Sequence, residues 1–293
     1  MDRWAWMKGM TATALGACLK PLSQQVSAEE AKRQVKTVYV IYKCHLDVGF
    51  TDTEQGVIRT YFDDYFPRAV DIAETLRQSA GEERYVWTIA AWMLYEYFEQ
   101  APSEKRKRME QAIAHGDIAW HAMPFTWNSE MLDGSLISSA LRLSASLDQR
   151  FGRKTIAGKL TDVPCHTRGI VIPLASAGIR FLDIGDNGGC KAPEVPFMKD
   201  EGAASTRKRQ EILDAPEDPH AYLFNWRDPE APTNIAAEIM VLYHPFGYGS
   251  TVAIPGTDIA VSIQVRGDNS GPHTLQEIKD SYGDARRGSR QSL

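Results

Sequence analysis

A run of strand-forming residues that begins at Tyr39 ends in His45-Leu-Asp47 and continues into Val48-Gly49-Phe50. Alternate residues of an extended segment share a face, so His45 and Asp47 leave the carboxyl end of a strand in the same direction. An imidazole and a carboxylate so placed can hold a divalent cation. Read blandly, the same pair is a satisfied histidine beside a turn aspartate. Gly49 lets the backbone turn, and Phe50 sets an aromatic ring beside the pair. Glu130, Asp162, His244 and Asp268 each follow an apolar, strand-like run as well. Asp162 lies in Leu160-Thr-Asp-Val-Pro-Cys-His-Thr-Arg-Gly169, where a carboxylate can bind a cation, attack an electrophilic carbon or cap the next helix. Sites of parallel α/β folds gather at the carboxyl ends of strands, and this shared placement favours one metal-dependent site over scattered polar residues.

The elements that must carry these residues alternate. Strands are predicted over 37–42, 85–89, 117–122, 155–160, 181–184, 223–226, 237–243 and 259–265. Helices are predicted over 54–78, with a bend at Pro67, and over 91–100, 103–115, 134–151 and 169–177. Segment 198–220 is charged and unpatterned and reads as a loop, and 283–293 is a polar, unpatterned end. The alternation points to a parallel α/β sheet or barrel, here a (β/α)7-type barrel with mainly parallel strands, rather than a sandwich.

At 293 residues the chain can hold one large α/β domain, and 43% hydrophobic with 24% charged residues suits a globular core. A net charge of −5 leaves no electrostatic footprint for nucleic acid, and a neutral or polar substrate fits better. Arg3 and Lys8 precede a short apolar run, 10–19, and Val26-Ser-Ala28 offers a small-residue cleavage site. Residues 1–28 therefore read as an export signal, and the mature chain is expected in the periplasm or outside the cell, without a transmembrane helix. Leu15-Gly-Ala-Cys18 loosely matches a lipoprotein box, so anchoring through Cys18 is the alternative. Cys44, Cys165 and Cys190 form no spaced metal cluster and read as buried thiols.

His45-Leu-Asp47-Val-Gly49-Phe50 resembles the H-C-D-x-G-W segment that opens the catalytic domain of glycoside hydrolase family 38, the class II α-mannosidases. Four further stretches resemble the family in order, and the likeness spans roughly 36–280. The first, 115–130, implies a pocket tryptophan and an acid at Trp127 and Glu130, for which a core indole and a solvated carboxylate are equally open readings. The second, 160–169, is similar to the D-P-F-G-H-S segment, which implies that Asp162 is both nucleophile and zinc ligand. The third, 223–248, implies that Tyr248 contacts sugar, while His244 reads either as a pocket hydrogen bonder or as a core histidine. Finally, Val265-Arg-Gly-Asp268-Asn-Ser-Gly-Pro272 resembles the segment bearing the general acid and base, and Asp268 falls on its aspartate.

The resemblance thus implies one Zn2+ on His45, Asp47 and Asp162, with another divalent metal as an option. It implies retaining hydrolysis of α-mannosides or related glycans by Asp162 and Asp268, with Phe50, Trp127, Glu130 and Tyr248 against the carbohydrate. Phe50 stands where the family has a tryptophan. The family's fourth ligand is a histidine far downstream, and only His273 follows Asp268 here, so residues 29–293 are expected to be a catalytic domain without the family's helical and β-sandwich regions. The rivals are a metal-dependent carbohydrate deacetylase and an inactive sugar-binding fragment. The residues do not speak to oligomeric state.

Overall fold

The computed structural model describes residues 35–163, 166–186, 222–231, 237–244, 248–249, 251–254 and 257–288. The segment read as a leader, with Cys18, the segment 198–220 read as a loop, Cys165 and Cys190 lie outside the described residues. Nine strands form two mixed sheets among those that are described.

In the first sheet, β1 (Thr37–Cys44) lies between parallel β2 (Trp87–Ala90) and parallel β9 (Ile259–Arg266). Parallel β3 (Ile118–His121) lies beyond β2, and the short β8 (Thr251–Ala253) runs antiparallel outside β9. In the second sheet, β4 (Ala157–Asp162), β5 (Phe181–Asp186) and β7 (Glu238–His244) are parallel, and β6 (Tyr222–Arg227) is antiparallel at the edge. The sheets meet where the Ala122 N–H, just past the end of β3, donates at 2.8 Å to the carbonyl of Ala157, the first residue of β4. The predicted alternation and the mainly parallel pairing hold. Strand pairing among the described residues does not close a barrel.

Helices α1 (Glu54–Thr60) and α2 (Phe66–Gln78) occupy the segment read as one helix bent at Pro67. Their join is a π-turn, Tyr61–Tyr65, in which the Phe66 N–H donates to the Tyr61 carbonyl. Pro67 lies in the first turn of α2, and with no N–H to give residue 63 it favours the wider turn just before it. Beyond it, Phe66, Ala69, Val70 and Ala73 recur at helical spacing and bury against Tyr42 and Trp87 in the first core. Helices α3 (Ala91–Gln100), α4 (Ser103–His115), α5 (Gly134–Phe151) and α6 (Val171–Ser176) follow the predictions closely. Asp133 caps α5 by accepting from the N–H groups of Ser135 and Leu136. Leu160, Val171, Leu182, Trp226 and Val241 belong to a second core under the β4-β5-β7-β6 sheet.

The end read as polar and unpatterned from 283 begins inside a helix that was not predicted, α7 (Leu275–Gly288). Thr274 and Glu277 build a capping box, each side chain accepting the other's backbone N–H, and Ile278 is fully buried.

The space between the sheets is polar. Lys43, His45, His121, Lys159, Thr161 and Asp183 are all buried. Lys43 of β1 and Lys159 and Thr161 of β4 are buried on this side, while Tyr42 and Leu160 pack into the two cores.

Candidate active site

His45, just past β1, is buried, and its Nδ1 lies 2.8 Å from the Thr161 hydroxyl of β4. Its Nε2 lies 3.0 Å from Asp47 Oδ1 and 3.6 Å from Asp162 Oδ2. With Nδ1–H given to Thr161, Nε2 presents its lone pair between two carboxylates, the arrangement of a metal-binding imidazole with its outer partner. Burial lowers the His45 pKa, with Lys43 acting the same way and Asp47 and Asp162 opposing it. Burial raises the Asp47 pKa, reinforced by Asp268 and Asp162 and opposed by His45. Both shifts disfavour a charged imidazolium-carboxylate pair.

Asp47 Oδ2 is buried and has no hydrogen-bond partner among the described residues. Ligand atoms of His45, Asp47 and Asp268 all lie within 4.8 Å of one another. A buried, unpartnered carboxylate oxygen beside an imidazole and two further carboxylates fits a divalent cation.

Backbone conformation concentrates here too. Among the described residues, Asp162 (φ 72°), Asp268 (φ 36°) and Asn269 (φ 52°) are the non-glycine residues with positive φ. Aspartate and asparagine tolerate this left-handed region best, but holding it still costs on the order of 1 kcal/mol, which the surrounding contacts must offset. The turn after Asp47 uses Gly49 at φ 84°, as predicted.

Asn269 was not singled out in the sequence. Its Oδ1 accepts the Asp47 N–H at 3.1 Å, and its Nδ2 donates to the Asp47 carbonyl at 2.8 Å and to Thr51 Oγ1 at 2.7 Å. Its own N–H donates to the His45 carbonyl at 3.1 Å. The Tyr65 hydroxyl, from the π-turn, donates to the Asn269 carbonyl. The signal for it was slight: an asparagine directly after Asp268, in a turn between strand and helix.

Tyr248 donates its hydroxyl to Asp162 Oδ1 at 2.8 Å, and its ring centre lies 5.0 Å from that of His45. Burial and then the Asp162 carboxylate raise its pKa. A cavity of about 520 Å³ opens over the cluster, lined by His45, Asp47, Asp162, Glu54, Trp92 and Phe125 among others. Trp92 and Phe125 meet edge to face at 6.2 Å, and neither was expected at the site.

The other sequence-derived residues fall elsewhere. Phe50 is 79% exposed and outside the cavity lining. Trp127 is buried in the second core, with its ring centre 5.8 Å from that of Phe125 in the cavity wall. Glu130 is exposed in a short 3-10 turn. His244 ends β7. His166 is buried beside Ser129, and burial pushes its pKa down to about 4. His273 packs edge-on against Tyr42 in the first core rather than with the acidic cluster. Cys44 is a buried free thiol, as expected.

No protein-family model matches the sequence, and no curated protein matches it. Solved structures do. An α-mannosidase from Enterococcus faecalis V583 superposes with a TM-score of 0.57 at 11% identity, over 86% of this chain and 27% of that one. A 4-α-glucanotransferase from Thermococcus litoralis gives 0.48 at 12% identity, over 85% and 36%. A protein in glycosyl hydrolase family 38 from Enterococcus faecalis gives 0.40 at 11%, over 86% and 28%. This chain therefore spans about a quarter of the α-mannosidase it matches, and it shares the fold of that part.

Proposed function

We propose that the chain is the α/β catalytic domain of a metal-dependent retaining glycoside hydrolase, acting on α-mannosides or related glycans and built as an incompletely closed (β/α)7-type barrel. One observation carries this reading: His45, Asp47, Asp162 and Asp268 converge at one edge of the fold, with Asp47 Oδ2 buried and unpartnered. The fold shared with the α-mannosidase supports it. The export signal read in residues 1–28 would deliver the domain to glycans outside the cytoplasm.

In this reading His45, Asp47 and Asp162 hold a single Zn2+, which when bound supplies a positive charge for vicinal sugar hydroxyls. Asp162 attacks the anomeric carbon. Asp268 protonates the leaving oxygen and then takes a proton from water, the division of labour of retaining glycosidases. Tyr248 orients Asp162 through its hydroxyl. Trp92 and Phe125 offer apolar ring faces to a sugar in the cavity.

Purified protein is expected to contain one zinc per chain by elemental analysis and to cleave aryl α-mannosides, with both properties lost in His45→Ala and Asp162→Ala. A folded wild type that binds no divalent metal would refute the assignment. The closeness of Asp268 to His45 and Asp47 favours a second reading, in which Asp268 is itself a ligand and the site resembles that of a metal-dependent deacetylase. Acetate release in place of sugar release would establish it.

A further inference from the structure

Beneath the acidic cluster, β4 sends a second polar side chain into the interior. Lys159 is buried, and its ammonium donates to Asp183 Oδ2 of β5 and, at 2.7 Å, to the backbone carbonyl of Tyr248. The neighbouring Gly249 lies so close to β9 that a Cβ there would stand 2.2 Å from the Ile263 carbonyl oxygen. The Tyr248-Gly249 backbone is therefore pinned from both sides, by an ammonium from the second sheet and by a strand of the first. Past that point the Tyr248 hydroxyl meets Asp162, the last residue of the strand that carries Lys159.

We propose that Lys159 is a positioning residue, which grips the Tyr248 carbonyl from between the sheets and thereby sets the Tyr248 hydroxyl on Asp162 Oδ1, leaving Oδ2 toward His45. This rests on the reading of Asp162 as nucleophile. A lysine suits the task because an ammonium-to-carbonyl bond is charge-assisted and stronger than an amide-to-carbonyl one. Asp183 balances the buried charge, since an unpaired ammonium in that interior would be costly. Strand alternation alone would turn Asp162 to the face opposite Lys159 and Thr161. Its φ of 72° bends the chain at that residue, and its carboxylate comes to the side of Tyr248 and His45.

Lys159→Met alone takes the ammonium away from buried Asp183 and risks unfolding, so the working variant is Lys159→Met/Asp183→Leu, which removes the pair together. The first measurement needs no activity. In protein labelled with ring-13C tyrosine, the Tyr248 resonance is identified by its loss in Tyr248→Phe, and in the wild-type background Asp162→Asn is expected to move it. In folded Lys159→Met/Asp183→Leu protein the same Asp162→Asn change should leave it in place. The second measurement is hydrolysis of an aryl α-mannoside. The pair variant and Tyr248→Phe should each lower kcat on the order of 10- to 100-fold with a smaller change in KM, and combining them should add nothing. A Tyr248 resonance that still responds to Asp162 in the pair variant, or losses that multiply, would overturn the proposal. A wild type without hydrolysis would count against the glycosidase reading, while the resonance experiment would still decide the role of Lys159.

Discussion

Asn269 brackets the Asp47 peptide, accepting its N–H on Oδ1 at 3.1 Å and donating to its carbonyl from Nδ2 at 2.8 Å. Two residues 222 positions apart thus hold one backbone unit at the centre of the acidic cluster. Asn269→Ala removes both bonds and is expected to cost on the order of 1 to 3 kcal/mol of stability, read as a lower urea midpoint. Zinc affinity should fall roughly 10- to 100-fold in a competition titration, as for other losses of a ligand's outer support. Unchanged zinc affinity in a destabilised protein would confine Asn269 to folding.

Thr161 gives a cleaner test of the same kind. Thr161→Val keeps the shape but strips the partner from buried His45 Nδ1. The ring is then free to change tautomer, and metal affinity should drop by about one to two orders of magnitude with the fold intact. Circular dichroism and metal titration of the one variant check both halves.

Asp268→Asn separates the two roles open to that residue. Under the acid and base assignment the protein keeps its zinc, and kcat falls on the order of 10²- to 10⁴-fold for alkyl mannosides. For substrates whose leaving group needs no proton, kcat/KM should be spared while kcat still falls, because the base step remains. Zinc lost together with activity would make Asp268 a ligand.

Acid should destabilise the protein through its buried histidines. Burial holds the folded pKa of His166 at about 4, against the ordinary 6.5 of the unfolded chain. Between those values the unfolded chain binds more protons, so stability is fully present above about 6.5 and declines as pH falls toward 4. The full loss from His166 is roughly 3 kcal/mol. His273, also lowered to about 4 chiefly by burial, acts in the same direction. Urea midpoints from pH 7 to 4 should fall, and His166→Asn should flatten the slope. A slope unaffected by that change would place the acid sensitivity elsewhere.

The parts of this site that could be read from the sequence are those whose geometry is local. His45 and Asp47 needed only strand periodicity, and the strand-end positions of Asp162 and Asp268 needed only the alternation of elements. Asn269, Lys159 and Thr161 act across the interior on residues far away in the chain, and nothing in their immediate neighbours marks them. Trp127 was read from the resemblance as a pocket residue with a core indole equally open, and it packs into the second core while Trp92 and Phe125 line the cavity. Helix α7 went unread because charged residues surround its few apolar ones, although the Thr274-x-x-Glu277 box was there to see. The π-turn was masked by an apolar pattern that continues through it, and Pro67 drew the expected break to itself.

That π-turn makes the site sensitive to chain length as well as to residue identity. Tyr61 stacks on Trp87 in the core with ring centres 6.0 Å apart, and Tyr65, four residues on, reaches Asn269. The wider turn takes up one extra residue, so that α2 still faces the core beyond it. Removing one residue there would let the helix regularise with α2 in place, and the rearrangement would fall on the turn itself, where Tyr65 holds the Asn269 carbonyl. A single-codon deletion at Asp63 or Asp64, both exposed, should therefore loosen the acidic cluster while leaving the core packed.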